Sequence, residues 1–123
     1  MNKKKITLKD IIETFNLRVV CGEDLLDREV TGGYAGDLLS DVMANAKKGG
    51  LWVTRQVHPN IVAVAVLRML SGVVIINNRA PEEETVRKAL KEKLPLMTSE
   101  LPAFELVGRL YEYGISGLLP DEK

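Results

Sequence analysis

The sequence predicts a single α/β domain, a mainly parallel sheet of about five strands with helices on both faces. Three observations carry that prediction. Short apolar runs rich in β-branched residues alternate along the chain with segments of helical periodicity. The connections between them are short and contain no repeat or low-complexity stretch. The run Val73–Ile76 is apolar at every position, which suits a strand covered on both faces, as in a parallel sheet. At 123 residues the chain is long enough for one core that buries roughly two thirds of the unfolded surface.

Thr7 has the position of a helix N-cap, with Asp10 closing a shortened capping box and Ile6 and Ile11 spaced as a hydrophobic staple. Leu8, Ile11, Ile12 and Phe15 mark one face of that helix, and Asn16 ends it. Val19–Cys21 reads as a strand closed by Gly22, followed by a polar turn over 23–27. A strand is expected over Glu29–Tyr34, weakened by Gly32 and Gly33, which point to a bulge or close packing. Asp37 can cap the next helix, whose apolar positions are Leu38, Leu39, Val42, Met43 and Ala46. Gly49 and Gly50 stop it after two lysines. Leu51–Thr54 is a strand.

The run Ile61–Leu70 has the β-branched residues of a strand, but its length, its alanines and Pro59 at the first turn favour a helix. It is read as a helix buried on most sides, with Gly72 at its C-terminus. After the strand Val73–Ile76, Pro81 opens a helix with Glu82, Glu83 and Glu84 first and Lys88, Lys91 and Lys93 last, an order that complements the helix dipole. Leu96–Thr98 is a short strand. Pro102 starts the last helix, with Phe104, Val107, Leu110 and Tyr111 expected inward and Gly114 at its close. From Ser116 the chain is read as an arm.

Composition excludes several functions. Seventeen basic residues balance seventeen acidic ones, so no field favours nucleic acid; Lys3–Lys5 reads as a solvated terminus. One cysteine, Cys21, suits a reducing cytoplasm, and one cysteine with one histidine is too few for a zinc site. No metal and no cofactor are expected. No signal peptide is legible, and the greasy region Ile61–Ile76 is broken by Arg68, Ser71 and Gly72, short of the roughly 20 apolar residues of a membrane span. A soluble cytoplasmic protein is expected. No glycine-rich loop ends in Gly-Lys-Ser/Thr, and Gly33-x-x-Gly36 lacks the full dinucleotide fingerprint. His58 has no evident nucleophile partner, because Cys21 lies in an apolar strand. Asp37 and Asp41, four apart, could hold a cation but read first as a cap and a helix-start charge. No enzyme is expected.

Candidate chemistry gathers where the loops into helices leave the strands, since ligands of parallel sheets bind at the carboxyl ends. Those loops hold Gly36 and Asp37, then Thr54, Arg55 and His58, then Asn77, Asn78 and Arg79, then Thr98, Ser99 and Glu100. The expectation is one polar pocket at that edge, where helix-start amides and the two arginines receive an anion. Gly32, Gly33 and Gly36 would let main chain approach the ligand closely. The same residues have a plain structural reading, with Asn, Thr, Ser and Asp as caps and arginines as solvated loop residues.

Thr31-Gly32-Gly33 followed by Tyr34-x-Gly36-Asp37-Leu38-Leu39-Ser40-Asp41-Val42-Met43 resembles the DRTGG domain, and the flanks around Thr7–Leu17, Leu51–Thr54 and His58–Asn60 agree. The resemblance spans residues 6–118, leaving tails at 1–5 and 119–123. It departs at the naming motif, where Glu29 and Val30 stand in place of Asp and Arg. The family occurs between paired CBS modules and catalytic domains and in phosphotransacetylase-like proteins. It is similar in fold to the N-terminal domain of HPr kinase/phosphorylase, and short stand-alone members lie near genes for iron hydrogenase components. The resemblance implies a non-catalytic regulatory or accessory module and a homodimer. Two functions follow: binding of a small anionic or nucleotide-like ligand at the loop edge, or a ligand-free dimerisation or protein-interaction module, accessory to an iron hydrogenase or another metabolic enzyme. Surplus apolar residues, Trp52 and the Ile61 helix, also point to a second copy as cover.

Overall fold

Helix α1, Leu8–Phe15, starts at the capping box that its sequence announces: the Asp10 amide donates to the Thr7 hydroxyl at 3.2 Å and the Thr7 amide to the Asp10 carboxylate at 2.9 Å. It ends at Asn16, which takes a left-handed conformation at φ 56°, one that Asn tolerates better than most residues. The computed structural model describes residues 5–117; both outer ends, where the tails are expected, lie outside the described residues. The remaining elements follow in order as β1 Arg18–Cys21, β2 Gly32–Ala35, α2 Leu39–Asn45, β3 Gly50–Thr54, α3 Asn60–Leu67, β4 Gly72–Ile75, α4 Glu83–Glu92, β5 Leu96–Thr98 and α5 Ala103–Tyr113. A short 3-10 turn over Glu23–Leu25 connects β1 towards β2.

The five strands form one sheet in the order β1-β5-β4-β3-β2. Strands β2 to β5 run parallel, while β1 pairs antiparallel with β5, setting Arg18 opposite Thr98. Side chains along β3 and β4 alternate between two cores. Trp52, Val73 and Ile75 face Val42, Ile61, Ala65 and Ala89, the inner positions of α2, α3 and α4. Leu51, Val53, Val74 and Ile76 face Leu8, Ile11, Leu106 and Leu110 of α1 and α5. The unbroken apolarity of Val73–Ile76 is thus cover on both faces, each large aliphatic contributing about 1.5–3 kcal/mol by leaving water.

Several local expectations change. Strand β2 begins at Gly32, and Glu29 makes only an isolated bridge to Thr7. Helix α3 ends at Leu67, and Gly72 is not its stop but the first residue of β4, where a Cβ would meet Met97 at 3.2 Å and the Pro95 carbonyl at 3.3 Å. Met69 instead takes the left-handed position at φ 53°, because the turn carries Leu70 back into the core and closes with Leu70 N–H to Ala65 C=O at 3.0 Å. Phe104 and Tyr111 point outward, at 93% and 65% exposure; α5 buries Leu106 and Leu110. Of the expected inward positions Leu110 is buried and Val107 packs partly against the same core, while Leu106 is buried in place of Phe104 and Tyr111. Trp52 is fully buried by its own chain and does not require a second copy.

Candidate functional site

Four parallel strands deliver their loops to one edge of the sheet, and the antiparallel β1 starts there. On the β2–β3 side of that edge Asp37 does not cap α2, whose N-cap is Leu38 without a side-chain bond. Its carboxylate accepts from the Thr54 hydroxyl at 2.7 Å and from the Arg55 amide at 2.8 Å. Parallel pairing of β2 with β3 brings those two donors beside Asp37, and a charge-assisted pair outcompetes an exposed cap. Gln56 completes the join, its amide donating to Thr54 Oγ1 at 3.1 Å and its side chain to the Asp37 carbonyl at 2.8 Å. The Arg55 carbonyl in turn accepts from Arg79 Nη1 at 2.8 Å. Asp37, Thr54, Arg55 and Arg79 therefore form one hydrogen-bonded line across three loops.

Arg79 reaches that line through a paired left-handed turn. Asn77 and Asn78 lie at φ 61° and 56°, and their amides donate to Leu101 C=O at 3.0 Å and Ser99 C=O at 2.7 Å. His58 is exposed; its Nδ1 accepts from the Asn60 amide at 3.1 Å, so the neutral ring carries its proton on Nε2. The Ile61 and Val62 amides donate to His58 and Pro59 carbonyls. The first amides of α3, expected to face an anion, are thus already bonded within the chain.

The open part of the edge lies beside β1. A hollow of about 400 Å³ is lined by Arg18, Asn78, Arg79 and Thr98 over an apolar floor that includes Val19, Pro81 and Val86. Among the described residues no carboxylate lines it, and the Arg18 side chain has no hydrogen bond or ion pair. Sequence reasoning missed Arg18 as a site residue. Only the reversed direction of β1 brings the first residue of a strand to the edge where the others end, and strand direction leaves no mark on the side chains.

The glycine cluster sits elsewhere. Gly32 and Gly33 belong to the outermost strand and line a second hollow of about 380 Å³ with Tyr34, Asp41, Asn45 and Lys47. There the Tyr34 hydroxyl donates to Asp41 Oδ2 and Asn45 Nδ2 to Asp41 Oδ1 at 2.9 Å. The Gly33 amide is bonded to the Ser116 carbonyl at 3.0 Å, and the Gly36 carbonyl to Trp52 Nε1 at 2.8 Å. Of the ten expected residues, Asn78 and Arg79 line the open hollow, Asp37, Thr54 and Arg55 form the join between the loops after β2 and β3, Gly32 and Gly33 lie on the outer strand, and Gly36, His58 and Asn77 line neither hollow. Among the described residues no group of three or more His, Cys, Asp or Glu could hold a metal, and no helix is long and apolar enough to cross a membrane. Burial, and secondly the Glu23 charge, pushes the Cys21 thiol above its ordinary pKa.

The structure of the CBS and DRTGG domains of the regulatory region of Clostridium perfringens pyrophosphatase, complexed with the activator diadenosine tetraphosphate, is similar to this chain with a TM-score of 0.65 over 90% of its length, at 15% identity. This chain spans 50% of that one. No family model matches the sequence, and no curated protein matches it at a significant level. The likeness establishes a DRTGG-like fold.

Proposed function

We propose that this chain is a non-catalytic regulatory module that holds a small anionic, nucleotide-like ligand at the carboxyl edge of its sheet. The observation that carries the reading is the hollow beside β1, which Arg18 and Arg79 both line together with Val19, Pro81 and Val86. Two guanidinium groups can fork onto phosphate oxygens, and the aliphatic floor suits the flat, weakly polar part of a nucleotide. Its volume of about 400 Å³ falls within the usual range of small-molecule sites, roughly 300–1,000 Å³. The similar pyrophosphatase region is itself regulatory and was complexed with a nucleotide activator, which supports the same kind of role here. The non-catalytic reading rests on His58 and Cys21, one accepting the Asn60 amide through its Nδ1 and the other buried in an apolar core.

The test is thermal unfolding of the whole chain with inorganic phosphate, AMP, ADP, ATP and diadenosine tetraphosphate, followed by calorimetric titration. A nucleotide should raise the melting temperature in a concentration-dependent way, and Arg18→Ala should abolish that rise. If no member of the panel stabilises the protein, or if Arg18→Ala leaves the rise intact, the reading fails. Phe104, 93% exposed on α5, favours a second reading, a module that docks on a protein partner such as a metabolic enzyme.

A further inference from the structure

We propose that the outer faces of α3 and α4 form a two-fold interface with a second copy of this chain, the two α4 helices lying antiparallel across it. Helix α3 is apolar all round except at Asn60. Ile61, Val62, Val64 and Ala65 point into the core, while Ala63, Val66 and Leu67 face outward, with Leu67 67% exposed and Met69 just beyond it 59% exposed. A shallow hollow of about 300 Å³ runs between this stripe and Lys88 and Lys91 of α4. An outward face without a polar residue on its inner turns is the reverse of the usual surface helix.

The charge order on α4 selects the occupant. Both helices return between parallel strands, so they run the same way. The helix layer is therefore acidic at the carboxyl edge, where Glu82, Glu83 and Glu84 lie, and basic at the other end, where Lys88, Lys91 and Lys93 lie. Glu92 is the acidic exception in the basic half, and Arg87, midway, is bound to Glu84 at 2.8 Å. A two-fold axis lying across the helices turns one copy end for end. It sets α3 on α3 and lays the acidic start of each α4 over the basic end of the other, so the complementary contact occurs twice. Ala63, small and central on α3, lets the two helices approach closely. An anionic lipid surface would also attract Lys88, Lys91 and Lys93 beside Leu67 and Met69, but it would meet Glu82, Glu83 and Glu84 on the same face. The interface is independent of the ligand hollow beside β1.

Sedimentation velocity on the full chain tests this. The wild type should sediment at twice the monomer mass at tens of micromolar. Two double variants, Lys88→Glu with Lys91→Glu and Glu83→Lys with Glu84→Lys, should each dimerise at least about tenfold more weakly, because like charges then face each other. Their thermal unfolding by circular dichroism, read at a concentration where the wild type is monomeric, should stay cooperative, with a melting temperature lowered only modestly by charges that now oppose the helix dipole. Mixed in equal amounts, the two variants should regain the dimer mass. A wild type that stays monomeric at hundreds of micromolar overturns the proposal. So do variants that dimerise unimpaired when alone, and a mixture that recovers nothing. Binding of a monomeric wild type to phosphatidylserine vesicles would likewise overturn it, in favour of the lipid surface.

Discussion

The Asp37 carboxylate, just past the end of β2, and the Thr54 hydroxyl, at the end of β3, are joined by a hydrogen bond of 2.7 Å. Seventeen positions apart in the chain, they meet because the two strands run parallel and stop together. Thr54 is buried, so this bond and the neighbouring one to the Arg55 amide tie together the loops after β2 and β3, while the hollow at the β1 side of the edge stays open.

Asp37→Ala should therefore cost stability, about 2 kcal/mol, because it strands a buried hydroxyl and a backbone amide. Thr54→Val should cost about 1 kcal/mol. In urea unfolding the double variant should lose less than the sum, since both changes break the same bond. Additive losses would mean that the bond is not shared in solution.

Arg18→Ala should change stability by no more than about 0.5 kcal/mol, as expected of an exposed side chain without a partner. Arg79→Ala should lose nucleotide binding to a similar degree, and it should also destabilise the free protein by about 1 kcal/mol, because the Arg55 carbonyl loses its donor. Chemical denaturation beside calorimetric titration separates the two arginines. Equal destabilisation by both would contradict the assignment.

Two glycines should respond oppositely to alanine. Gly22 lies at φ 94°, and a Cβ there would come within 2.6 Å of Pro95 Cα, so Gly22→Ala should destabilise by at least about 2 kcal/mol. Gly108, inside α5, has nothing within 4 Å of a Cβ, so Gly108→Ala should stabilise by about 0.5–1 kcal/mol. Melting curves of the two variants check both signs.

The pH dependence of stability should carry the mark of Cys21. Burial raises its folded pKa above the unfolded value, so the folded state holds this proton more tightly. That contribution is complete below the unfolded pKa, near 8.5, and is lost as pH rises towards the folded value. Above about pH 8.5 the wild type should lose stability faster than Cys21→Ala, whatever their difference at neutral pH. Parallel profiles for the two proteins would remove the thiol from the account.

Local codes were legible in the sequence wherever one turn of chain decides the outcome. Thr7 and Asp10 announce the start of α1, Asn16 its end, and Val73–Ile76 a strand covered on both sides. The alternation of such elements, with short connections, determined a mainly parallel sheet between two helix layers. It also located the edge at which the strand-to-helix loops collect, and thus Asn78 and Arg79.

What only the tertiary structure decided is what depends on partners distant in the chain. Whether Asp37 caps a helix or binds Thr54 turns on which donors lie nearer, and strand pairing places them. That Leu106 is buried beside Leu110, in place of Phe104 and Tyr111, turns on how α5 rolls against β3 and Ile115. The arrival of Arg18 beside Arg79 turns on the direction of β1. A strand as short as Arg18–Cys21 reads the same whether it runs up or down the sheet, because its side chains alternate identically in both directions; only the register with Thr98 brings Arg18 to the hollow.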